Sequence, residues 1–275
     1  MNPALLGLLS ALSYGVGDFL AGVASRYNSP FRVAALTHPP AALILLTLAV
    51  LLRQPLPPAA DLWWGAAAGV VGLGAVLAFY KALALGPIGA VSVGAGALSA
   101  AVPVAVGVAG GELLGIWGWA GALCVLLGTA LLSFTPQTGS KASSGVLLGL
   151  LAGVGFGFYF VMLGQAHDSA GALWTLSAAR VASSLVIVPL TALTVGLRSQ
   201  KLGLLLASAP GDTLGNVFYL LAVQGGGLAI GALLTSLYPA FTTLLAVAVL
   251  KEKLRPAQWG GVALALTGAA LLTSG

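Results

Sequence analysis

Apolar residues gather into ten long runs along the chain: about 3–24, 31–52, 62–84, 87–109, 115–134, 145–166, 171–196, 202–223, 227–249 and 256–273. A membrane-spanning helix needs about 20 largely apolar residues, and each run is near that length. The punctuation between them is short. Arg53-Gln-Pro-Leu-Pro-Pro58 closes the second run, Gly86-Pro87 divides the third from the fourth, and 135–144 is the one linker-like polar stretch. No gap could hold a soluble domain. A membrane β-barrel would show apolar/polar alternation in segments of about 10 residues, whereas these runs are solidly apolar for twice that. The first run ends in small residues that a signal peptidase could accept, but no Lys or Arg precedes it, so the basic region of a leader is missing.

The runs form a repeat. Leu5-Leu-Gly-Leu-Leu9 recurs as Leu147-Leu-Gly-Leu-Leu151, and the same offset of 142 pairs Gly15 with Gly157 and His38 with Arg180. Phe79-Tyr80 recurs as Phe218-Tyr219 at an offset of 139. Glu112, Leu114, Trp119, Gly121 and Gly128 recur as Glu252, Leu254, Trp259, Gly261 and Gly268 at an offset of 140. Leu/Gly matches alone would be weak, but Glu and Trp are rare here. Five runs per copy is an odd number, so the second copy enters the membrane from the opposite side. The expected fold is an all-α integral membrane protein with ten transmembrane helices arranged as two inverted five-helix repeats. Residues 1–136 form the first repeat, 137–144 a cytoplasmic linker and 145–275 the second. Inverted repeats with a site between them are a transporter signature.

Composition narrows the class. The chain is 59% hydrophobic and 6% charged, against about 25% charged in soluble domains. That excludes soluble, disordered and nucleic-acid-binding proteins despite a net charge of +5. The basic residues instead mark a side. Arg26, Arg32, Lys81, Lys141, Arg198, Lys201, Lys251, Lys253 and Arg255 fall in loops on one side, Arg53 alone on the side of both termini, and Arg180 inside a run. The positive-inside rule puts both termini on the non-cytoplasmic side. A lone Cys124 and two widely separated histidines give no disulfide framework and no metal site. No cofactor motif is present.

Two five-helix halves, the stretch Tyr238-Pro239, then Lys251-Glu-Lys-Leu-Arg255, Gln258-Trp-Gly-Gly261 and Gly268, and a first-half copy at Gly111-Glu-Leu-Leu-Gly115 and Trp119-Ala-Gly121 resemble the drug/metabolite transporter superfamily in its EamA-type branch. The first-half copy lacks the basic residue after Glu112. Where that family usually carries Trp-Gly-Ser/Thr-Asn in its first helix, this chain has Ser13-Tyr-Gly-Val-Gly-Asp-Phe19. The resemblance implies a multi-pass protein of the bacterial inner membrane that moves small metabolites. In length and layout it is similar to bacterial exporters of aromatic and other neutral amino acids.

A charge near the bilayer centre costs at least about 2.5–3.5 kcal/mol, so intramembrane polar residues are the candidate site. Asp18 lies one turn from Tyr14 on one face of the first run. His38 and Arg180 place a potential cation at equivalent levels of the two halves. Asp212 follows Pro210-Gly211, which should interrupt its helix and leave the acid at the break. Arg180 could pair with Asp18 or with Asp212. Tyr80, Ser99, Phe158, Tyr159, Tyr219 and Tyr238 are deep enough to line a cavity; Trp63, Trp64, Trp117, Trp119 and Trp259 read as an interfacial belt. Glu112 and Glu252 sit in turns and read as helix caps. Nothing resembles a catalytic constellation or an ATP motif, so the expectation is a transporter and not an enzyme, driven by a gradient. A zwitterionic amino acid needs a cation for its carboxylate, an acceptor for its ammonium and an apolar pocket. These residues supply all three. A sugar or nucleotide-sugar transporter is the alternative. The expected partners are a small-molecule substrate, an amino acid first, and the lipid bilayer, with no nucleic acid; a monomer suffices.

Overall fold

The computed structural model describes residues 2–111, 115–134, 140–163, 171–226, 235 and 237–274. They form ten helices: α1 (Pro3–Ser25), α2 (Pro30–Leu51), α3 (Ala59–Leu85), α4 (Ile88–Ala109), α5 (Ile116–Phe134), α6 (Ser140–Leu163), α7 (Ala172–Thr194), α8 (Leu202–Gly226), α9 (Tyr238–Leu250) and α10 (Pro256–Ser274). Among the described residues, α1, α2, α3, α6 and α7 each hold a window long and apolar enough to cross a membrane, and α4, α5 and α9 hold shorter apolar stretches. In hydrocarbon every backbone N–H and C=O must be paired inside the protein, and a long apolar run does this within itself as a helix.

The ends follow local chemistry. Ser29 caps α2, its hydroxyl accepting from the Arg32 N–H at 3.3 Å, and Pro30 occupies the first turn, where its missing N–H costs nothing. Pro239 likewise sits in the first turn of α9 and does not bend a helix interior. Pro39, Pro40, Pro189 and Pro210 lie inside their helices. The expected interruption at Pro210-Gly211 does not occur: α8 runs unbroken from Leu202 to Gly226. Membrane helices tolerate a proline where neighbouring groups re-satisfy the freed backbone, and Gly211 serves close packing instead.

The packing pattern carries the repeat. α1 packs on α8 and α9, α6 on α3 and α4, α2 on α7 and α8, α3 on α7, α4 on α9 and α5 on α10. Shifting every label by five turns α1·α8 into α6·α3, α1·α9 into α6·α4 and α2·α8 into α7·α3. The pairs α2·α7, α4·α9 and α5·α10 map onto themselves, so a pseudo-two-fold axis passes between their members. Side chains obey it too. A Cβ on Gly128 would lie 2.6 Å from the Ala265 nitrogen and 2.9 Å from the Gly261 oxygen; one on Gly268 would lie 2.6 Å from the Val125 nitrogen and 2.7 Å from the Gly121 oxygen. Each of these residues is the repeat mate of its counterpart 140 positions on. Small residues let the backbones meet, the usual basis of helix association in lipid. Trp63, Trp64, Trp117, Trp119 and Trp259 are all exposed, as a belt requires.

Candidate functional site

Helices α1, α2, α3, α7 and α8 enclose a cavity lined by Asp18, His38, Tyr80, Arg180 and Asp212, with Thr37 and Ser208 beside them. Its polar groups come from both repeats. The space reachable by the centre of a water-sized sphere is about 30 Å³, room for roughly two waters.

Arg180 is the hub. Its Nη2 donates to Asp212 Oδ2 at 2.5 Å, so of the two acids open to it in the sequence the structure selects Asp212. Its Nη1 lies 3.5 Å from His38 Nε2. His38 Nδ1 lies 2.9 Å from the Ser183 hydroxyl, and Ser183 and Ser184 donate to the Arg180 carbonyl at 3.1 and 2.6 Å. Asn216 donates to the Asp212 carbonyl at 2.9 Å. Among the described residues Asp18 lines the cavity outside any ion pair. Close packing sets these positions. A Cβ on Gly211 would fall 2.6 Å from the Gly17 Cα; this contact presses α8 onto α1 and brings Asp212 and Asp18 to one cavity.

Three tyrosines stand near the hub. Tyr14, Tyr80 and Tyr159 lie within electrostatic reach of Arg180. Tyr14 lies flat against Gly215 and meets Tyr238 at 5.9 Å between ring centroids. Tyr238 places its hydroxyl over Gly96 and toward Ser99, whose own hydroxyl donates to the Gly96 carbonyl at 2.8 Å. Tyr219 lies near Tyr14. Phe158 does not join them: it is 49% exposed, on the outside of α6. Sequence reasoning missed Thr37, Ser183 and Ser208. Spacing could have found them: Thr37 precedes His38, Ser208 lies one turn before Asp212, and Ser183 one turn after Arg180.

A second polar set closes the basic end of the bundle. Three consecutive residues after α1 reach the second repeat. Arg26 pairs with Glu252 at 3.0 Å, Lys201 stands 3.8 Å over the Tyr27 ring, and Asn28 exchanges two hydrogen bonds of 2.9 Å with the Gln200 backbone. Glu252 also accepts from the Ile88 and Gly89 N–H groups at 3.1 and 3.5 Å, capping α4 from the other repeat. Arg32 donates to the Val195 and Gly196 carbonyls at the end of α7. Glu112, the repeat mate of Glu252, lies outside the described residues.

A model of the EamA-like transporter family matches residues 1–134 and again 143–274. The chain belongs to the EamA-like transporter family. An EamA-like chain is a membrane transporter of the drug/metabolite superfamily and not an enzyme, with the two matched blocks falling on the two halves of the fold. No curated protein matches it. Among solved structures it is similar to one described only as a crystal structure of a protein, at 21% identity and a TM-score of 0.61, over 98% of this chain and 95% of that one. That likeness extends to the fold.

Proposed function

We propose that this EamA-like transporter exports small zwitterionic metabolites, amino acids including aromatic ones, across a bacterial inner membrane by alternating access. The observation that carries the reading is the Arg180–Asp212 pair, a fixed cation and an acid held 2.5 Å apart in a cavity between the repeats with tyrosines around it. Arg180 takes the substrate carboxylate as a planar two-pronged donor. Asp212 and Asp18 accept from the ammonium, and Tyr14, Tyr80 and Tyr159 form the wall for the side chain. The cavity is too small for an amino acid as it stands, so substrate enters when the helices part. Both termini face away from the cytoplasm, with the basic end, including the Arg26–Glu252 pair, inside.

Counterflow in proteoliposomes tests the substrate class, using labelled amino acids, sugars and nucleotide-sugars. Exchange of aromatic and neutral amino acids is expected. Exchange of nucleotide-sugars alone would replace the reading with the alternative. Orientation is checked by a reporter fused at Gly275, expected to read as external, and one at Lys141, expected to read as cytoplasmic.

A further inference from the structure

We propose that His38 is a positioning residue for Arg180. It acts as a neutral imidazole, protonated on Nδ1, that accepts from the guanidinium and aims it at the substrate. The positions suggested two cations, one per repeat. The hydrogen-bond directions give a different assignment. An arginine guanidinium has five donors and no acceptor, so the ring nitrogen facing it, His38 Nε2 at 3.5 Å, must present its lone pair. The proton of a neutral imidazole then resides on Nδ1, which points at the Ser183 hydroxyl 2.9 Å away. That hydroxyl is free to accept because its own hydrogen goes to the Arg180 carbonyl at 3.1 Å. The chain of donors closes on itself: guanidinium to His38, His38 to Ser183, Ser183 back to the Arg180 backbone. His38 and Ser183 are both buried.

The consequence is orientation. With Nη1 held by His38 and Nη2 by Asp212, the guanidinium plane is fixed on two sides. A second proton on His38 would set N–H against N–H, place two like charges 3.5 Å apart and release the clasp. Each helix packed against α2 contributes a titratable or charged group to the cavity: Asp18 from α1, Tyr80 from α3, Arg180 from α7 and Asp212 from α8. Of these, Arg180 is the one whose contact with His38 is a hydrogen bond.

The positioning role rests on the transport reading above, whereas the tautomer does not, and the test separates them. The protein carries two histidines, His38 and His167. A His167→Gln variant with isotope-labelled imidazole nitrogens leaves one imidazole to read by NMR. At neutral pH, Nδ1 protonated and Nε2 bare is expected. An Nε2-protonated ring or an imidazolium overturns the proposal, whatever the protein transports. In counterflow with the best-exchanged compound of the panel, His38→Leu is expected to lower the rate by about tenfold or more, as loss of a hydrogen bond to a charged group does. The unaltered protein is expected to slow on acidification; His38→Gln, which offers both an acceptor and a donor, is expected to recover most of the His38→Leu loss and to lose that acid sensitivity. A His38→Leu protein with unchanged rate and unchanged pH profile also overturns it.

Discussion

Replacing Arg180 separates a structural ion pair from a working one. Its side chain is 16% exposed, but the side chain of its partner Asp212 is 42% exposed, toward the cavity. Breaking a fully buried pair from one side costs about 3–5 kcal/mol, and breaking an exposed one about 0–1 kcal/mol. A half-wet partner puts Arg180→Ala between these, at about 1–3 kcal/mol by the same two limits. In a chain of this size each kcal/mol moves Tm by roughly 2–4 °C. The variant should therefore purify folded, melt lower by about 2–12 °C, and lose counterflow. Arg180→Lys keeps the charge but not the fork that reaches His38 and Asp212 together, so it should melt close to the parent and still transport poorly. Asp212→Asn added to Arg180→Ala removes the stranded acid and should recover part of the melting loss. Thermal unfolding in detergent and counterflow are measured on the same preparations. An Arg180→Ala protein that transports normally refutes the role given to the guanidinium. One that fails to fold, or a double variant no more stable than Arg180→Ala, refutes the wet-partner estimate.

Two further outcomes follow from the geometry. Glu252→Ala removes an ion pair with a partly exposed arginine and the cap of α4, together about 1–2 kcal/mol, which should shift the basic end about tenfold toward an open form; spin labels at Ala142 and Lys253 in a Cys124→Ala background should report a longer or broader distance, with Glu252→Gln intermediate, and an unchanged distance in both counts against a clasp. Gly211→Ala drives a methyl group into the Gly17 backbone at 2.6 Å and should cost about 1–3 kcal/mol as overpacking as well as transport, while Gly203→Ala, with no neighbour within 4 Å of its added carbon, should do neither; equal melting of the two variants sinks the close-packing account.

The fold was legible because lipid enforces it. Each crossing must be a continuous apolar run, and the rare Glu and Trp residues at fixed offsets exposed the duplication. The charged part of the site was legible for a related reason: Arg180, Asp212, Asp18 and His38 are too costly in hydrocarbon to be incidental. Helical phase was harder. Phe158 was expected at the cavity, yet two positions on a helix are about 200° apart. Phe156 meets Phe79 in the core at 5.6 Å, and Phe158 points out. The α8 break failed because a Pro-Gly pair reads locally as a disruption, while in the bundle Gly211 is what lets α8 touch α1. The capping of α4 by Glu252 joins residues more than 160 positions apart, and no local pattern encodes the partner.

The duplication also dictates why the site is asymmetric. Residues 38 and 180 are repeat mates, and they meet across the axis between α2 and α7 at 3.5 Å. Two guanidiniums there would repel, so a symmetric site with a cation from each half is not available. One mate keeps the permanent charge and the other is an acceptor. The same divergence shows at the flanking crossings. Gly211 meets Gly17 backbone to backbone, and at the equivalent crossing Gly72 meets the Tyr159 ring, 2.8 Å from an added Cβ. By the same offsets Asp18 corresponds to Phe160 and Asp212 to Leu73. Both cavity acids therefore come from the α1·α8 side, and the α3·α6 side has an aromatic ring and apolar mates in their place.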